Sequence, residues 1–104
     1  MRKFTALFAV IVVLAAIGAV TALASTSTVS WHVGTSKTVK IHKGSSVKWV
    51  WSDGAPHNVK GPGFVSKMSS KKGSSYTHKF GKKGTFKIIC QVHPTSMKTV
   101  VKVS

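Results

Sequence analysis

From Val29 to Val103 apolar side chains recur at every second position, in short runs cut off by glycine or proline. An extended chain points successive side chains to opposite faces, so this period marks strands with one buried face. Val29-Ser-Trp31-His-Val33, Val39-Lys-Ile41, Val47-Lys-Trp49-Val-Trp51, Tyr76-Thr-His78-Lys-Phe80 and Gly84-Thr-Phe86-Lys-Ile88-Ile-Cys90 all read as strands, and Lys98–Val103 closes the chain as another. Val33 is expected in the core with Val29 and Trp31. Asp53-Gly54 marks a tight turn, and Pro56 stiffens the approach to His57. Asn58-Val59-Lys60 reads as a short strand that Gly61-Pro62-Gly63 breaks. The Ser-, Lys- and Gly-rich stretch 65–75 is expected to be the most mobile. No segment past residue 24 keeps a helical period, and none repeats. Many short strands with Gly and Pro punctuation predict an all-β sandwich or barrel.

The first residues follow other rules. Met1-Arg2-Lys3 is basic, Phe4 to Val20 is an uncharged apolar run, and Ala22-Leu23-Ala24 is a small-x-small cleavage signal. Together they predict a signal peptide over 1–24 and a single domain over 25–104. The alternative is an uncleaved anchor, because about 20 apolar residues can span a bilayer. Either way the domain lies outside the cytoplasm: periplasmic, secreted or tethered to a membrane.

Export sharpens the reading of Cys90, the single cysteine of the 104 residues. Exported proteins usually pair their cysteines. An unpaired thiol there is open to oxidation unless something holds it, and a metal does. His93 follows three positions later and Met97 four after that, on the loop beyond a strand that ends at Cys90. Thiolate, imidazole and thioether suit copper in both oxidation states. A second imidazole is needed, and Pro56-His57-Asn58-Val59 offers one. His32, His42 and His78 lie in strands away from this motif and read as structural or surface groups, and Met68 sits in a polar loop.

Pro56-His57-Asn58-Val59, Gly84-Thr-Phe86-x-Ile88-x-Cys90-x-x-His93 and Met97 together resemble the plastocyanin-type cupredoxins, halocyanin-like and amicyanin-like members included. The resemblance covers roughly residues 28–103. It implies a Greek-key β-sandwich and a type 1 blue copper site, one copper per chain, with His57, Cys90 and His93 in a plane and Met97 a weak axial ligand. The step from His93 to Met97 differs from the familiar ones, which bears on the axial ligand alone. The resemblance also implies that the Asn58 N–H bonds the Cys90 sulfur while its side chain ties two loops together. Phe86 and Ile88 would line the dry side of the site, and the edge of His93 would be the electron exit, with Pro94 stiffening its loop.

Charge bears on partners. The net charge is +15 with one acidic residue, Asp53. Losing Arg2 and Lys3 with the leader lowers it by two, to +13, carried by lysines in nearly every strand and turn. Such a field steers acidic redox proteins, and also anionic membrane or cell-wall surfaces. Nucleic acid would bind without specificity, and export argues against that role.

These features point to an exported monomer that carries single electrons between redox partners and catalyses no reaction. Two other classes use the same features: a copper storage or delivery protein, and a surface-active or antimicrobial protein defined by its lysines.

Overall fold

The computed structural model describes residues 24–104, so the proposed leader, save its last residue Ala24, lies outside the described residues. Eight strands follow in order: β1 (Thr26–Trp31), β2 (Ser36–Ile41), β3 (Ser46–Trp51), β4 (Lys60–Gly61), β5 (Phe64–Val65), β6 (Ser75–Lys79), β7 (Gly84–Ile89) and β8 (Lys98–Val103). They form two sheets, one ordered β1-β3-β6 and the other β2-β8-β7-β4-β5. The chain changes sheets between β1, β2 and β3, which is why β1 runs parallel to β3 and β2 parallel to β8. This is an all-β sandwich, as the strand pattern predicts.

The alternating residues meet between the sheets. Val29, Trp31, Val47, Trp49 and Trp51 of one sheet pack with Val39, Ile41, Ile88, Val101 and Val103 of the other in one buried cluster. Each tryptophan also carries an indole N–H that would cost about 1–3 kcal/mol to bury unpaired. All three donate: Trp31 to the Asn58 carbonyl at 3.1 Å, Trp49 to Thr99 Oγ1 at 3.2 Å, and Trp51 to the Ser69 carbonyl at 2.8 Å. Two of those acceptors sit in the loops beside His57. The core therefore fixes the loops as well as the strands.

Two expectations need correction. Val33 is not in the core but 46% exposed. β1 stops at Trp31, and Thr35 folds the chain back through its N–H and hydroxyl, both bonded to the His32 carbonyl at 3.0 and 2.8 Å. The alternation runs past the end of the strand. The stretch 65–75 is not a free loop either. His57 and Ser69 exchange backbone hydrogen bonds of 2.9 and 3.0 Å, and Gly73 N–H donates to the Trp51 carbonyl at 2.9 Å. Its composition is that of a loop, but its backbone is pinned.

Gly61 marks a close approach. A Cβ there would run into the Phe64 ring and the Cγ1 of Ile88. Phe64 cannot swing aside freely, because it stacks on His78 with centroids 3.7 Å apart and on Tyr76 at 6.0 Å. Gly61→Ala is expected to lower stability by about 1–3 kcal/mol, measured by denaturant unfolding. An unchanged midpoint would show that the aromatic stack yields.

Candidate metal centre

Cys90 lies at the end of β7, with its side chain fully buried and its thiol free. The chain beyond it closes into a compact turn. The His93 N–H donates to the Cys90 carbonyl at 3.2 Å, and the Met97 N–H donates to the His93 carbonyl at 3.0 Å. The Cys90 N–H in turn donates to the Met97 carbonyl at 3.2 Å, which ties the turn back to the strand. One local unit thus presents both Cys90 and His93, as the motif suggests.

His57 comes from the other side of the site. Its backbone is clamped to Ser69, its ring is fully buried, and the Trp51 ring stands 6.4 Å from it. The two loops are stitched by Asn58: its Nδ2 donates to Gln91 Oε1 at 2.8 Å, and its Oδ1 accepts from the Gln91 N–H at 2.9 Å. The bridging role expected of the Asn58 side chain is therefore seen. A bond from the Asn58 N–H to the sulfur is not among those the described residues make. Ile88 lies in the buried core two residues before Cys90, on the same face. Phe86 lies further along, beside Phe80 at 5.5 Å and about 13 Å of strand from Cys90, so it does not line the site.

Sequence reasoning missed Asp53. Its Oδ1 is 2.6 Å from His57 Nε2. The same oxygen accepts the Ala55 N–H at 3.1 Å, and Oδ2 accepts the Val33 N–H at 3.5 Å. Partial burial acts to raise the Asp53 carboxyl, but the hydrogen bonds from His57 and from the Ala55 and Val33 N–H groups outweigh it and hold the carboxyl below its ordinary range. A carboxylate can only accept, so Nε2 carries the proton and the Nδ1 lone pair is left for the site. The signal was present: the one acid of the chain stands four residues before the histidine.

The donors converge. Cys90 Sγ lies 3.9 Å from His57 Nδ1 and 3.8 Å from His93 Nδ1, and all three ligand atoms fall within 4.8 Å of one another. Metal bonds of about 2.0 Å to nitrogen and 2.3 Å to sulfur span up to about 4.3 Å, so one ion can bridge the sulfur to either nitrogen at the separations seen. One soft sulfur with two imidazoles fits copper. His57 and Cys90 are buried, while His93 is half-exposed between exposed Val92 and Pro94. Met97 is fully buried beneath this turn. Met68 is 51% exposed and stands apart, and His78 belongs to the Phe64 stack.

Comparisons with known proteins agree with this geometry. The family model of copper binding proteins, plastocyanin/azurin family, matches residues 32–104. Amicyanin-alpha of Methylorubrum extorquens is 35% identical over 69 residues, covering 61% of this chain; the chain spans 58% of that relative's length. A purple cupredoxin from Nitrosopumilus maritimus aligns with a TM-score of 0.58 at 28% identity, over 64% of this chain and 77% of that one. A Cu(I) amicyanin variant aligns with a TM-score of 0.60 over 84% of this chain and 88% of that one, at 22% identity, which bears on the fold alone.

Proposed function

Because the chain belongs to the plastocyanin/azurin family of copper-binding proteins, we propose that it carries single electrons between redox proteins outside the cytoplasm. The observation that carries this reading is the convergence of Cys90, His57 and His93 on one point, two of them dry and the third reaching the surface. Copper bound there supplies a one-electron Cu(II)/Cu(I) couple.

The residues do the rest. Asp53 and Ser69 hold His57, and the Cys90–Met97 turn holds Cys90 and His93. Ligands fixed by the fold move little when the charge at the centre changes, which suits fast electron transfer. Val92 and Pro94 give His93 an apolar rim, and Lys60 and Lys98 stand near enough to orient an acidic partner. No substrate and no catalytic step is assigned. The relatives named amicyanin support this choice over copper storage, which would use the same ligands without a redox partner.

A voltammogram of the copper form separates the two. Electron transfer predicts a reversible one-electron wave and rapid self-exchange at high salt, where the positive shell is screened. Copper lost on reduction would favour storage or delivery.

Met97 is proposed as a fourth residue that would hold the copper, since it is buried and its backbone closes the turn on Cys90. Met97→Leu is expected to keep copper and raise the reduction potential, because a weak donor is lost. An unchanged potential and spectrum would remove Met97 from the ligand set.

A further inference from the structure

The lysines are not spread evenly over the two sheets. Val39 and Ile41 of β2, Thr99, Val101 and Val103 of β8, and Ile88 of β7 point inward. The alternating partners Lys40, Lys98, Lys102 and Lys87 must therefore point outward, and Lys60 joins them opposite Ile89. Five lysines share the outer face of the five-stranded sheet. Lys40 stands directly opposite Lys102 across β2 and β8. Like charges in that position destabilise a sheet, and the chain's single acid, Asp53, is spent on His57. The other sheet faces outward with serines and threonines, apart from Lys48, Val50 and Lys79.

The basic face has an apolar notch. An open cleft of about 490 Å³ is lined by Lys60, Gly61, Pro62, Lys87, Ile89 and Pro94. Ile89 is bonded in sequence to Cys90, and Pro94 to His93, so an occupant of this cleft sits one residue from two metal ligands. An anionic membrane or polymer would be met as well by the loop lysines Lys71, Lys72, Lys82 and Lys83, and gains nothing from a notch. A protein side chain ringed by carboxylates fits both the notch and the lysines.

We propose that the outer face of the five-stranded sheet, centred on the Ile89–Pro62 cleft, is the docking surface for an acidic redox protein. This rests on the electron-carrier reading and adds to it a partner chemistry and a second way to the centre, beside Ile89 rather than over the His93 rim.

The test uses two charge-matched triple variants. Lys40→Gln/Lys87→Gln/Lys102→Gln strips the face, and Lys48→Gln/Lys71→Gln/Lys79→Gln removes the same charge elsewhere. Electron transfer from the copper form to an acidic c-type cytochrome is followed by stopped flow. At low salt the face variant should be slower than the control variant by about tenfold, and the two should converge at high salt. Equal slowing by both variants, or a wild-type rate indifferent to salt, overturns the proposal. It is also overturned if the face variant loses binding to phosphatidylglycerol vesicles while matching the control with the cytochrome, since the face would then serve a lipid surface. Oxidation and reduction at an electrode bypass docking. A wild-type copper form that fails there sinks the electron-carrier reading itself, whereas normal electrode behaviour with equal slowing sinks the docking surface alone.

Discussion

Cys90→Ser is expected to abolish the intense blue absorption of the Cu(II) form and its reversible redox wave. The colour and the ease of cycling both depend on a copper–thiolate bond, and Cys90 carries the one thiol of the chain, within reach of the His57 and His93 nitrogens. Two imidazoles remain, so Cu(II) still binds, weakly and pale. The fold should stand, because valines, isoleucines and tryptophans make up most of the core around Cys90, and two of the indoles also hold the loops. Visible absorption and far-ultraviolet circular dichroism read the two outcomes separately. A blue band that survives in this variant would place the thiolate elsewhere and undo the assignment.

Asp53→Ala should weaken copper binding by about 10–100-fold, the usual consequence of removing a partner that orients a metal-bound histidine. Without the carboxylate at 2.6 Å, nothing in the contacts of Nε2 selects the tautomer that presents Nδ1. Asp53→Asn keeps an oxygen acceptor and should recover part of the loss. Competition with a chelator gives the affinity. The Nε2 proton signal of His57 supplies an independent readout: protected from exchange in the parent protein, fast-exchanging in Asp53→Ala. Unchanged affinity in Asp53→Ala would mean that the Ser69 clamp and the packing of Trp51 are enough to aim the ring.

How much of this was legible in the chain follows from which interactions are local. Period-two alternation located the main strands because burial of one face is written in consecutive residues, as in Val47-Lys-Trp49-Val-Trp51. It overran at Val33, where the Thr35 turn decides the path. Cys90, His93 and Met97 were readable because one turn carries all three, and His57 because its neighbours carried a resemblance. The Asp53–His57 bond was not read, although both residues were singled out, since it depends on how a loop folds over a buried ring. Segment 65–75 looked mobile because composition does not show that Ser69 is bridged to His57. The lysine asymmetry needed strand register: a count of charges cannot say that Lys40 faces Lys102.

The central claim is that His57, Cys90 and His93 hold one copper as a redox centre. Titration of the purified domain with Cu(II), followed by visible absorption, tests it most directly. An intense blue band should rise to an end point at one copper per chain and bleach on reduction. A chain that binds Cu(II) without that band, or that saturates with zinc and leaves the thiol inaccessible to copper, would contradict it.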